Sequence, residues 1–258
     1  MKIRTAAALA LTLAMVACDQ DTPTDEESTP YASRYKALPS EATMLKGATI
    51  LTGTGTRLDD ADLVFRDGRI DAIGAGLPAD GLAVYDASDL WITPGIIDIH
   101  SHLGVYPSPS VTAHSDGNEA TAPNTADVWA EHSVWPQDPG FVAALAGGVT
   151  SLQILPGSAN LFGGRSVTLK NVPGQSVQDM KFPGAPYGLK MACGENPKRV
   201  YGGRMQAPST RMGNVAAYRT AWIAAADYRD KKAKAESGQG EAPMRDLKLE
   251  TLAGVLEG

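Results

Sequence analysis

The segment Pro94-Gly95-Ile96-Ile97-Asp98-Ile99-His100-Ser101-His102-Leu103 constrains the fold more than any other stretch of this chain. It is a short apolar run in which Asp98, His100 and His102 recur at every second position. Side chains alternate across a strand, so these three share one face. Two imidazoles at that spacing, near the C-terminal end of a strand, can reach one cation. Zinc takes imidazole nitrogen at ~2.0–2.1 Å and keeps a position for water in catalytic sites. Asp98, one step deeper, is placed to orient a ligand histidine from behind. Alone the pattern is weak, because two ordinary histidines in an arbitrary strand would look the same.

The neighbourhood sharpens it. From Ala42 to Thr93 the sequence reads as short strands at Ala48–Thr52, Asp62–Arg66, Arg69–Ile73 and Leu82–Tyr85, split by turn residues. Asp67-Gly68 between two of them is a hairpin signal, since both central residues of a tight hairpin turn need positive φ. Beyond the histidine strand lie a long polar loop, a helix over Pro139–Ala146 ended by Gly147-Gly148, and strands over Val149–Leu155, Ser166–Lys170 and Gly188–Ala192. Two helices follow, the first capped by Asn214 and running to about Lys232, the second carrying Leu249, Leu252 and Leu256 on one face. Strands alternating with helices predict a parallel βα architecture.

Pro-Gly-Ile-Ile-Asp-Ile-His-Ser-His directly after a small β unit resembles the entry to the barrel of the amidohydrolase superfamily. The segments Ala113–Glu119, Ala130–Pro136, Leu155–Asn160 and Gly194–Gly202 are similar to its imidazolonepropionase-related branch. The resemblance covers about residues 42–258. It implies an α/β fold: a TIM-like (β/α)8 metal-dependent hydrolase barrel, incomplete here, preceded by a small β-sandwich domain. The expected divisions are a lipoprotein signal peptide at 1–18, a disordered tether at 19–41, the first part of the sandwich at 42–94 and the first part of the barrel at 95–258. The implied chemistry is hydrolysis of a C–N bond in a cyclic amide, N-acyl compound or short peptide. One or two divalent ions, zinc foremost, would activate water. His100 and His102 are the metal ligands carried over. The catalytic aspartate is expected beyond residue 258, because no histidine follows His132 and the 164 residues from Gly95 to Gly258 fall short of the about 250 of a usual barrel. The fragment is therefore expected to be inactive alone. A deaminase of the same superfamily and a non-catalytic exported binding module are the alternatives.

Other residues carry two readings each. Lys190 is either a carbamylated lysine bridging two metals or a structural lysine. Glu195 is either a carboxylate ligand or a loop carboxylate holding backbone amides. His114 and His132, in the loop after the histidine strand, either contact substrate or pack the loop. Arg165 either pairs with a substrate carboxylate or makes a surface ion pair, and Trp129 and Trp135 either wall a pocket or pin the loop.

The N-terminus points to export. Lys2 and Arg4 precede an apolar run from Ala6 to Val16, shorter than the ~20 residues that span a bilayer but suited to a signal-peptide core. The junction Met15-Val16-Ala17-Cys18 resembles the bacterial lipobox, which implies lipidation of Cys18 and attachment to the cell envelope on the periplasmic side. Cys193 is then left without a disulfide partner. With 23 Lys+Arg against 29 Asp+Glu, a formal charge of -6 and no long basic block, the chain lacks the electrostatic footprint of a nucleic-acid binder. A small molecule or short peptide is the expected partner, with the membrane reached through lipid, and association into a homo-oligomer is left open.

Overall fold

Residues 31–258 are described by a computed structural model, and the expected signal peptide, with Cys18, lies outside them. The hairpin predicted at Asp67-Gly68 is present. Asp67 and Gly68 have φ of 49° and 72°, and they join β2 (Arg57–Arg66) to β3 (Arg69–Gly74) in antiparallel register, Arg66 opposite Arg69. β1 (Thr43–Leu51) pairs antiparallel with β2 and parallel with both β4 (Ala83–Asp86) and β5 (Trp91–Ile92). The small β unit is thus one five-stranded sheet, in order β3-β2-β1-β4 with β5 also on β1, rather than the two facing sheets of a sandwich. Ala48, Ile50, Ala61, Leu63 and Ala87 form its buried cluster.

The histidine strand is β6 (Ile96–Ser101). It pairs parallel with β7 (Val149–Ile154), and α1 (Pro139–Ala146) lies between them in sequence, giving a β-α-β unit as predicted. The next expected barrel strand behaves differently. β9 (Val167–Lys170) runs antiparallel to β7, and the stretch between the two holds β8 (Phe162–Arg165) rather than a crossover helix. β10 (Leu189–Met191) pairs antiparallel with β8 in a second small sheet. Among the described residues these strands form sheets of three and two, not a closed parallel ring.

One core cluster lies against this half: Leu152 and Ile154 of β7, Val167 and Leu169 of β9, Phe141 of α1, and Val177 and Met180 of α2 (Val177–Met180). Ile154 is fully buried. Ile154→Val should therefore lower stability by about 0.5–1.5 kcal/mol, read as a lower midpoint in denaturant at unchanged slope.

Both expected C-terminal helices are present, and the first starts ahead of its expected cap. α4 spans Arg211–Glu236 and starts at Thr210, whose hydroxyl accepts from Gly213 N. Asn214, expected as the cap, is inside the helix and buried; its amide donates to the carbonyls of Cys193 and Gly194. Glu195 does not sit in a loop either, since it opens α3 (Glu195–Gly202). In α5 (Leu247–Glu257) Leu252 is buried and Leu249 packs on the same cluster with Phe162 and Ala225, whereas Leu256 is exposed. The stretch read as tether makes contacts from Ser33 on. Ser33 donates to Lys181 O at 2.7 Å, Arg34 pairs with Asp179 at 3.5 Å, and Lys170 lies over the Tyr35 ring. No helix among the described residues is long and apolar enough to cross a membrane.

Candidate metal centre and adjoining cavity

β6 ends at Ser101, so His100 and His102 stand at the C-terminal rim of the β6–β7 pair. Their rings meet edge to face, centroids 5.3 Å apart. His102 Nδ1 is 2.8 Å from Leu155 O. A carbonyl can only accept, so Nδ1 carries the proton and Nε2 presents its lone pair, the tautomer a metal ligand needs. The residue that orients His102 is thus the backbone just past β7, which no sequence signal marks.

Asp98 meets the pair through the backbone. Its Oδ1 accepts from the backbone N–H of His100 at 3.0 Å, so it braces the strand under the pair rather than an imidazole ring. Lys190 is brought to the site. From β10, buried at 8% exposure, its Nζ lies 3.2 Å from His100 Nε2. Burial pushes the Lys190 amine below its ordinary pKa. The Lys190 charge, then burial, then the His102 charge hold His100 below the usual imidazole range. Two imidazoles and a partly desolvated amine therefore converge, a donor set that fits part of a divalent-metal site. Among the described residues no three His, Cys, Asp or Glu side chains group together as a complete one.

A cavity of about 270 Å³ is lined by neighbours of these residues. It is walled by the loop between β6 and α1, with Asp116, Asn118, Glu119, Trp129 and His132, and by Pro156 and Gly163. Pro156 follows Leu155, the partner of His102, and Gly163 packs on the Lys190 stem, where a Cβ would come within 3.2 Å of Cγ. His100, His102 and Lys190 do not themselves line it. Its outer wall is clamped in place. Gly157 N donates to Gly117 O at 2.6 Å, Ala159 N donates to Asn118 Oδ1 at 2.9 Å, and the Asn118 amide donates to the Tyr106 hydroxyl. A Cβ at Gly117 would overlap the Tyr106 ring, and one at Gly157 the Asn118 amide. Tyr106 in turn packs edge to face on His102, centroids 5.8 Å apart.

The remaining sequence candidates separate. His132 lines the cavity and stacks on Trp129, rings 5.7 Å apart at 19°. His114 packs on Trp135 at 4.9 Å and is not among the lining residues. Arg165 is half-buried: its guanidinium lies 4.5 Å over Trp129, and Nε donates to Thr251 on α5 at 3.0 Å. It ties the cavity wall to α5.

No family model matches the chain. It is 32% identical over 260 residues to the amidohydrolase tasK of Hapsidospora irregularis, which covers 87% of this chain and 26% of that protein. It is 30% identical over 119 residues to the imidazolonepropionase of Chromobacterium violaceum, covering 39% of this chain and 29% of that protein. Its structure matches that of an amidohydrolase from Thermotoga maritima with a TM-score of 0.77 at 39% identity, over 83% of this chain and 55% of that one. The chain belongs to the amidohydrolase superfamily. It spans about a quarter of the fungal relative and about half of the bacterial structure.

Proposed function

We propose that this chain supplies the metal-holding strand and a substrate wall of a hydrolase acting on C–N bonds in a cyclic amide, N-acyl compound or short peptide. The meeting of His100, His102 and Lys190 carries the proposal. His100 and His102 would hold one or two divalent ions, zinc first, through ring nitrogens; His102 is already in the required tautomer. Lys190, an amine whose proton is weakened by burial, is suited to take up carbon dioxide as a carbamate and so add a carboxylate-like ligand. When bound, such an ion lowers the pKa of its water to about 7 and polarises a carbonyl. The β6–α1 loop would hold the substrate beside the pair, with Trp129 and His132 as its wall. The same proposal places the protein at the cell envelope through lipid on Cys18, and the mass of the mature N-terminus tests that part.

The test is to load the protein with zinc, measure bound metal after dialysis, and assay hydantoins, N-acyl amino acids and dipeptides. Expected are about one or two ions per chain, as for catalytic zinc sites, and metal-dependent carboxylate release from one substrate class in a chain that also carries the expected catalytic aspartate. Ammonia release without ring or amide opening would favour a deaminase instead. Protein that retains no zinc and turns over nothing would leave a non-catalytic binding role.

A further inference from the structure

Behind the cavity wall lies a charged cluster that the proposed chemistry does not use. Glu131, 2% exposed, and Lys181, 3% exposed, form an ion pair at 3.2 Å between segments fifty residues apart. The Tyr187 hydroxyl donates to the same Glu131 oxygen at 2.7 Å and accepts from Lys181 Nζ, while Gln178 donates to the other oxygen at 3.4 Å. Burying a charge pair is costly, and an apolar replacement of similar volume is often neutral or better for stability. Stability alone does not account for this cluster. Its surroundings offer another account. Glu131 sits between Trp129 and His132 on the 3-10 turn Ala130–His132. Tyr187 packs on Trp129 at 5.0 Å, and Trp129 stacks on His132. Tyr187 also leads into β10, which carries Lys190 to His100.

The geometry points to Glu131, Lys181 and Tyr187 as a positioning cluster that fixes Trp129 and His132 in the cavity wall, with His132 the side chain that reads the bound substrate. The direction of the contacts is the argument. An apolar patch would hold the turn down without fixing its rotation. A carboxylate that must receive the Tyr187 hydroxyl and the Lys181 ammonium on one oxygen accepts a single orientation. That orientation aims the backbone of the turn, and the Tyr187 ring then stops Trp129 from swinging away. Held this way, His132 presents its ring to the cavity at little further entropic cost on binding.

Two variants test it in the 258-residue chain. Tyr187→Phe removes one oxygen, and the paired change Glu131→Leu with Lys181→Met removes both charges together. Both should fold with thermal midpoints close to that of the parent. Trp129 emission, isolated by difference from Trp129→Phe, should become more accessible to acrylamide in each. For any substrate found in the hydrolase panel, KM should rise about tenfold while kcat changes little, the pattern of lost positioning rather than lost chemistry. His132→Ala should show the same KM effect, with kcat again little changed. Unchanged Trp129 quenching in the folded Tyr187→Phe protein overturns the proposal, and that variant decides if the paired one does not fold. The KM measurement rests on the hydrolase reading and the quenching measurement does not. A panel with no turnover would therefore leave the quenching result to decide the role of the cluster.

Discussion

Replacing His100 or His102 with Ala should lower the zinc affinity of the protein by more than about 100-fold, above the 10–100-fold lost when only an outer partner of a ligand is removed. Any C–N hydrolysis should fall with it. The two rings present nitrogens from one strand rim with centroids 5.3 Å apart, so losing either leaves a single imidazole that cannot fix an ion against water. Asp98→Asn is the contrasting variant. The Asp98 contact is to the backbone N–H of His100, and an asparagine Oδ1 can accept the same bond, so zinc affinity should change less than about tenfold. Lys190→Met removes the cation that depresses His100. If it lowers metal content, Lys190 or its carbamate is a ligand; if it raises affinity by relieving repulsion, the amine is only a neighbour. Metal measured by atomic spectroscopy after dialysis reads all four variants. Parental zinc content in both His100→Ala and His102→Ala would refute the metal centre.

The parts of this fold that were legible in the sequence are those governed by local periodicity. Asp67-Gly68 specifies its own backbone conformation, and the β6-α1-β7 unit shows as a strand, a Pro-started helix ended by Gly147-Gly148, and a second strand. The shared edge of His100 and His102 follows from a spacing of two. What was not legible depends on contacts across the chain. Asn214 looks like a cap because asparagine is among the preferred cap residues, yet the helix starts earlier and the amide instead holds two carbonyls next to β10. β9 reads as the next parallel strand, but the stretch between it and β7 holds β8 rather than a crossover helix, and it takes the antiparallel edge of β7. The approach of Lys190 to His100 bridges ninety residues, and the Glu131–Lys181 pair fifty. Glu131 adjoins His132, and nothing in the local pattern tells that this carboxylate is buried.

Asp138, which the sequence marks as a helix cap by its place just before Pro139, does more than cap, and its loss should be the most damaging single change outside the metal centre. It is almost fully buried and accepts from three backbone amides: Gly104 N at 2.9 Å, Ser108 N at 3.1 Å and Gly140 N at 2.8 Å. The last of these caps α1, and the first two hold the chain as it leaves His102. A charged acceptor satisfying backbone donors contributes more than a neutral one, and each buried donor stranded by its removal costs about 1–3 kcal/mol. Asp138→Ala should therefore cost about 3–5 kcal/mol, a large part of the about 5–15 kcal/mol by which a domain is stable. Asp138→Asn keeps one acceptor oxygen and turns the other into a donor facing an N–H, so it should recover only part of that loss. Denaturant midpoints of the three proteins give the ranking. The function should follow it, because Gly104 and Ser108 bracket Val105, which lines the cavity, and Tyr106, which packs on His102. In whatever Asp138→Asn protein remains folded, zinc affinity should drop even though every proposed ligand is intact. Unchanged stability and unchanged zinc binding in Asp138→Ala would show that the loop after β6 is held by something other than this carboxylate.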